Sequence, residues 1–192
     1  MTGDRRLSQA ISEGDGISLI APVDDLDSAT AAEASGADGL LLSAEIPGVR
    51  EATTLPLIWS GPGTAQESVD SCVVSAADLD DDETVERRFA ELGERGMEWL
   101  VGVRDPEELE AVLERIDPEI FLLSPGKDRD GEDALERVLD LLEDVPAGKL
   151  AIADLRVTTR DEIAELERAG VDAVIVGTRD LAGLASAAPP EV

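Results

Sequence analysis

Several residue types that usually carry chemistry are rare or missing in this chain of 192 residues. Histidine is absent and cysteine occurs once, as Cys72, which excludes a histidine zinc site, a cysteine metal cluster and a disulfide within the chain. Lysine occurs only as Lys127 and Lys149, so acid–base chemistry must fall to carboxylates or to these lysines. Nothing in the sequence indicates a metal or a cofactor.

Aromatic side chains and long apolar runs are also scarce. Aromatic residues make up 2% of the chain, so a core must be built from leucine, valine, isoleucine and alanine. No stretch approaches the roughly 20 apolar residues of a membrane span, and the N-terminus lacks an apolar signal core. These absences predict a cytoplasmic protein that does not enter a membrane.

Acidic residues, by contrast, are abundant. The chain has 44 Asp and Glu against 16 Lys and Arg, a formal net charge of −28 at pH 7. A disordered acidic chain is one interpretation, but regular apolar runs argue against it. The other is adaptation to molar salt, where a Debye length of roughly 3 Å screens self-repulsion. We therefore expect this protein to work in the cytoplasm of a salt-accumulating halophile. We expect it to bind neither nucleic acid nor an anionic membrane, since binding either one requires a basic patch.

One short pattern recurs along the chain and predicts its architecture. Residues 169–177 and 35–43 each read as a small residue, Gly, an apolar residue, Asp and then a short apolar run, and residues 68–75 repeat this without the glycine. Gly suits a helix end and Asp a tight turn, while the continuous apolar run is typical of a strand buried on both faces. The repetition indicates successive βα units.

The apolar runs predict eight strands separated by helices. We expect an α/β fold consisting of a single compact (β/α)8 TIM barrel with trimmed loops at residues 16–186, preceded by a polar lead-in at 1–15 that contains a short helix at 7–12, and followed by a tail at 187–192. A doubly wound open sheet is the alternative, although the chain lacks a glycine-rich loop after its first strand. The predicted strands are 17–23, 39–43, 55–59, 71–75, 98–103, 120–123, 150–153 and 173–176, and the main predicted helices are 28–34, 83–92, 106–116, 132–142 and 160–168.

Three blocks of sequence resemble the indole-3-glycerol phosphate synthase family, within the wider set of ribulose-phosphate-binding barrels. They are residues 80–103, residues 105–110, and residues 146–162 together with 169–177, and the resemblance runs from about residue 7 to residue 187. The family closes an indole ring on a phosphorylated, opened ribulose, with loss of carbon dioxide and water. The resemblance therefore implies a lyase of tryptophan biosynthesis.

The positions that carry this chemistry in the family differ here. Family members supply a glutamate and a lysine from the first strand, a lysine from the third, a glutamate from the fifth, an asparagine from the sixth and a Ser-Glu-Ser-Gly run at the seventh. The corresponding residues are read here as Ala21 and Val23, Ser60, Gly102, Leu123 and Ser124, and Ala153 to Arg156. Lys149 precedes its strand, on the face opposite barrel active sites, so two catalytic lysines are not available. The resemblance thus predicts the barrel scaffold of the family. The differences at its catalytic positions predict that the usual reaction is lost.

Two groups of residues are candidates for a site. The resemblance implies phosphate binding at the seventh and eighth βα loops, which here hold Arg156, Gly177, Thr178 and Arg179. The alternative is that Gly177 merely ends a strand and that the arginines offset neighbouring acids.

The second group comprises the catalytic candidates. They are Asp154, at the end of the seventh strand, and Lys127, just past the sixth, with Asp24 and Asp25 behind them. A solvated loop lysine and chance placement of abundant acids are the simpler interpretations.

Three functions remain open at this point. The first is a diverged barrel that binds, and in some form transforms, a small phosphorylated metabolite; as an enzyme it would be a lyase or isomerase acting on a sugar-phosphate-like substrate. The second is a non-catalytic barrel that serves as an interaction or regulatory subunit. The third is an active indole-3-glycerol phosphate synthase with substitute residues. The sequence does not indicate an oligomeric state.

Overall fold

Eight parallel strands hydrogen-bond in chain order and close into a barrel in the computed structural model of the protein. The structure describes residues 7–62, 68–79, 82–126, 133–177, 181 and 183–184, without the side chains of residues 82 and 84. The predicted (β/α)8 architecture is confirmed, and a doubly wound open sheet is excluded because β1 pairs with β8. The strands are β1 (Ser18–Val23), β2 (Gly39–Leu42), β3 (Leu57–Trp59), β4 (Ser71–Ser75), β5 (Glu98–Val103), β6 (Ile120–Leu123), β7 (Leu150–Val157) and β8 (Ala173–Val176).

Several helices on the outside of the barrel begin at a residue whose side chain caps the first turn. Asp105 accepts a hydrogen bond from the Glu108 amide, with Pro106 in the first helical position, and Thr159 forms a reciprocal capping box with Glu162. Only one helical turn follows β2, as the Pro-Gly content there predicts. The helices are α1 (Leu7–Glu13), α2 (Leu26–Ala34), α3 (Val49–Ala52), α4 (Asp82–Glu94), α5 (Pro106–Arg115), α6 (Ala134–Glu143) and α7 (Arg160–Ala169), with a 3-10 turn at Ala76–Asp78.

The apolar core has two parts that lie on opposite sides of the sheet. Inside the barrel, Ile20, Leu41 and Ile175 pack with other strand residues, and Leu7 and Ile11 of α1 join them. The N-terminal segment therefore contributes to the core through α1. Between the strands and the outer helices lies the larger part, which includes the buried side chains of Trp59 and Cys72.

This division corrects the prediction that Ala21 and Val23 occupy the catalytic positions of the first strand. Ala21 and Val23 belong to the helix-facing core, so neither can point into the barrel. Successive side chains of a strand alternate between faces, and Ile20 lies inside; the next inward positions are therefore Pro22 and Asp24. The assignment was wrong by one residue because β1 is apolar on both faces, which leaves no alternation to read.

The Asp that recurs in the pattern at residues 35–43, 68–75 and 169–177 has a structural role at the N-terminal ends of the strands. Three aspartates, Asp38, Asp70 and Asp172, here called the turn aspartates, each precede a strand. Their carboxylates accept the backbone N–H of Leu19, Leu57 and Ala151, each at 2.8 Å. Each turn is thus tied to the strand that came before it in the chain.

Within the described residues, no helix is both long enough and apolar enough to cross a bilayer.

Candidate functional site at the barrel mouth

The carboxyl ends of the strands meet at one end of the barrel, here called the mouth, where barrel enzymes carry their sites. Apart from Asp24 and Asp154, its inner surface is uncharged at the positions expected to be catalytic. Pro22 and Gly102 are partly exposed there, and Ser60 and Ser124 follow β3 and β6. The Ser60 hydroxyl donates to the Leu42 carbonyl. These positions offer hydroxyl groups and backbone, and no cation that could polarise a carbonyl.

Lys149 lies at the opposite end of the barrel, as predicted. Its Nζ is 2.7 Å from Asp117 Oδ1 and 3.9 Å from Glu119 Oε1. The hydrogen bond to Asp117 raises the pKa of this lysine, so it stays protonated. Lys127 lies outside the described residues. Among the described residues, the mouth therefore contains no lysine.

An irregularity in β7 brings the first candidate pair together. The strand pairs regularly with β8 up to Ala153 and again at Val157, so residues 154–156 form a bulge, here called the β7 bulge. Arg156 Nε donates to Asp154 Oδ1 at 3.0 Å, and the two side chains are 50% and 27% exposed. Asp154 is thus held in an ion pair through one of its two carboxylate oxygens.

Arg156 also has an unusual backbone. Its φ is +51°, which makes it the one non-glycine residue in the described part of the chain with positive φ. This left-handed conformation costs roughly 1–2 kcal/mol for a residue with a side chain. The position corresponds to the glycine of the family's Ser-Glu-Ser-Gly run. The chain keeps a turn that suits glycine but places an arginine in it.

The β7 bulge explains why residue 177 is a glycine. A Cβ at Gly177 would lie 2.2 Å from the carbonyl oxygen of Arg156, well inside van der Waals contact. Its amide donates to the Val157 carbonyl at 2.7 Å, so the N–H is engaged within the barrel. Both observations favour the interpretation in which this glycine packs the barrel end. Phosphate binding by Gly177 stays a prediction, and Thr178 and Arg179 lie outside the described residues.

The remaining acidic candidates have structural partners. Asp25 caps α2 by accepting from the Ser28 amide at 2.7 Å, and the Ser28 hydroxyl donates to Asp24 at 3.2 Å. These two aspartates therefore serve the start of α2. Their position after β1 made them candidates, but a capping box explains the same residue types.

One cation at the mouth escaped prediction. Arg104 follows β5, is half-exposed and pairs with Glu108 at 2.5 Å. Its carbonyl oxygen would lie 2.6 Å from a Cβ on Gly126, much as the Arg156 carbonyl abuts Gly177. Gly61 has the same relation to the Ser43 carbonyl, at 2.5 Å. A glycine shortly after a predicted strand is the signal that could have indicated this repeated contact.

Solved structures with the same fold include two enzymes named for phosphorylated compounds. Thiamine phosphate pyrophosphorylase from Pyrococcus furiosus superposes with a TM-score of 0.63 at 15% identity, over 88% of this chain and 93% of that one. The N-acetylmannosamine-6-phosphate 2-epimerase from Clostridium perfringens gives a TM-score of 0.62 at 15% identity, over 83% and 85% of the two chains. At this identity the likeness concerns the fold alone.

Sequence relatives are more specific. An indole-3-glycerol phosphate synthase from Variovorax paradoxus (strain S110) is 35% identical over 108 residues, which are 56% of this chain and 40% of that protein. One from Shouchella clausii (strain KSM-K16) is 29% identical over 83 residues, 43% of this chain and 32% of that protein. The chain thus spans less than half the length of these relatives. The family model described as indole-3-glycerol phosphate synthase matches residues 66–183, more than half of the chain, and the chain therefore belongs to that family.

Proposed function

We propose that this chain binds a small phosphorylated metabolite at the barrel mouth, with Arg156 as the main contact for the phosphate. The observation that carries the proposal is the state of the Arg156 guanidinium. Nε is paired with Asp154, the side chain is half-exposed, and no described residue bonds either terminal nitrogen. A guanidinium edge with two N–H groups facing solvent matches two phosphate oxygens. Family membership supports a phosphorylated ligand.

We further propose that the decarboxylating ring closure has been lost. That reaction requires a cation to polarise the substrate and carboxylates to move protons. The inward positions at the mouth are instead Pro22, Asp24, Ser60, Gly102 and Ser124, none of which carries a cation. If a reaction is retained, we expect a lyase or isomerase step on a sugar phosphate. Lys127 and Asp154 remain its candidate groups.

A thermal-shift titration tests the binding proposal. The protein is heated in molar KCl with a sugar phosphate, with the same sugar without phosphate, and with inorganic phosphate. We expect stabilisation by the two phosphate-containing compounds, growing with concentration as mass action requires. Arg156→Gln should abolish the shift. Arg104→Gln is the matched control, because Arg104 is equally exposed and also holds one carboxylate.

Two other functions would be indicated by different results. No shift with any phosphate, together with a stable complex recovered from a high-salt lysate, would favour a non-catalytic interaction subunit. The lack of a basic side chain at these inward positions is the observation consistent with that alternative. Growth of a tryptophan auxotroph on this chain alone would overturn the proposed loss of ring closure.

The surface charge leads to a proposal about the setting of the protein. We infer that it works in the cytoplasm of a salt-accumulating cell. A net charge of −28 is strongly self-repelling at low ionic strength and is screened in molar salt. Titrating stability against KCl tests this.

A further inference from the structure

The backbone of Arg156 is held in an unfavourable conformation from two sides. Its carbonyl is packed against Gly177, where even a methyl group would not fit. The next residue, Val157, accepts the Gly177 amide and returns the strand to register with β8. The surrounding barrel therefore fixes the turn whatever side chain residue 156 carries.

Glycine would fill this turn without strain, since it has no Cβ. The chain instead has an arginine there, with φ +51°. Strain of this kind persists only where the surroundings over-determine it, and it concentrates where a side chain has a task. The task is indicated by the side chain itself. Half of its surface is exposed at the mouth, and within the described part of the chain only Nε has a partner, Asp154.

We propose that Asp154 is a positioning residue for Arg156, and that the strained arginine is retained because it binds an oxyanion. This inference rests on the proposed function and goes beyond it by assigning Asp154 a role other than proton transfer. The bond from Nε to Oδ1 restricts the guanidinium to orientations in which Nε–H points at Asp154. The edge formed by the two terminal nitrogens is then presented to the ligand in one orientation.

The pairing also determines which ligands fit. The Asp154 carboxylate repels any anion that approaches from its own side, so the ligand must approach the opposite edge of the guanidinium. A phosphate monoester or a similar tetrahedral oxyanion can accept from both terminal nitrogens at once. A lysine at this position would supply charge without that fork.

The first test exploits opposite effects on stability and binding. Arg156→Gly should raise the urea midpoint, because the positive φ is then free of strain. The same substitution should weaken inorganic phosphate binding at least about tenfold, measured by calorimetry in molar KCl, because a charge-assisted contact is lost. A residue with a merely structural role would not change the two quantities in opposite directions. A lower midpoint, or unchanged binding, would overturn the proposal.

The second test isolates Asp154. Asp154→Ala should weaken phosphate binding several-fold while leaving the Arg156 charge in place. Asp154→Asn keeps an oxygen acceptor for Nε and should restore most of the affinity. The Arg156 Nε–H resonance provides a direct spectroscopic signature: it should be protected from exchange in the wild type and in Asp154→Asn, and exposed in Asp154→Ala.

The outcomes separate the two levels of the proposal. If wild-type protein binds neither inorganic phosphate nor a sugar phosphate, the proposed function fails and the oxyanion role of Arg156 fails with it. If wild type binds and Asp154→Ala binds equally well, only the positioning role of Asp154 is refuted. Arg104→Gln should bind as wild type in both series.

Discussion

Gly177→Ala should destabilise the barrel by about 2–3 kcal/mol. The new Cβ would lie 2.2 Å from the Arg156 carbonyl oxygen and 2.9 Å from its carbon, and both atoms are backbone. Relief requires β7 or β8 to move by about 1 Å, and forcing an extra methyl group into a packed site typically costs about 1–3 kcal/mol. Movement also weakens the Gly177 amide bond to Val157, worth about 1 kcal/mol. The lower entropy of the unfolded alanine chain offsets about 0.4–1 kcal/mol.

Urea unfolding in molar KCl measures this change. Two tryptophans report on it: Trp59 is buried, and Trp99 lies against Phe89 with ring centroids 4.1 Å apart. Gly93→Ala in α4 is the matched control, since a Cβ there meets nothing within 4 Å. We expect that control to be more stable by about 0.5–1 kcal/mol. If Gly177→Ala unfolds within about 0.5 kcal/mol of wild type, the packing explanation of this glycine is refuted.

Four further predictions concern charge. Asp70→Asn should cost about 1.5–3 kcal/mol in urea melts, because Arg50 donates to this carboxylate at 2.7 Å and both side chains are only 20% exposed. Partial desolvation raises the pKa of Asp38. The stability that this shift contributes to the fold is therefore lost as pH rises through the raised value. Asp38→Asn should accordingly not lower the melting temperature at neutral pH. The hydrogen bond from the Thr159 hydroxyl lowers the pKa of Glu162. The stability that the Glu162 carboxylate contributes to the fold is therefore lost as pH falls through the lowered value. Glu162→Gln should cost about 0.5–1 kcal/mol at neutral pH, and melts in acid should show that difference disappear. Finally, thermal stability should rise from low to molar KCl as repulsion among a net −28 charge is screened, and a flat profile would contradict the halophilic proposal.

The fold was largely predictable because apolar runs bounded by Asp and Gly are explicit in the sequence. Strands β4, β5, β6 and β8 have the predicted bounds, whereas β7 runs four residues further, to Val157 rather than Ala153. The β7 bulge interrupts the apolar run, and only pairing with Val176 on β8 shows that the strand resumes. Information of that kind lies in tertiary contacts and not in local pattern.

The candidate site was less predictable. Positive φ is expected at glycine or asparagine, so nothing in the residue type of Arg156 announces its backbone. Proximity of Asp154 to Arg156 follows from the two-residue spacing only when the bulge turns both side chains to the same region. The role of Gly177 was similarly ambiguous, because a glycine after a strand suits either a ligand or a neighbouring carbonyl.

The turn aspartates have a consequence for the order in which the chain can assemble. Their bonds join residues separated by 19, 13 and 21 positions, so each closes a short loop at a small cost in chain entropy. Before β6 the corresponding residue is Glu119, whose carboxylate lies 3.9 Å from Lys149 instead. The units β1–β2, β3–β4 and β7–β8 therefore each carry a local contact that can form before the barrel closes. The fourth unit, β5–β6, lacks this contact and depends on its neighbours for its stability. Contacts of such short range lower the average sequence separation of a parallel fold, which otherwise folds slowly.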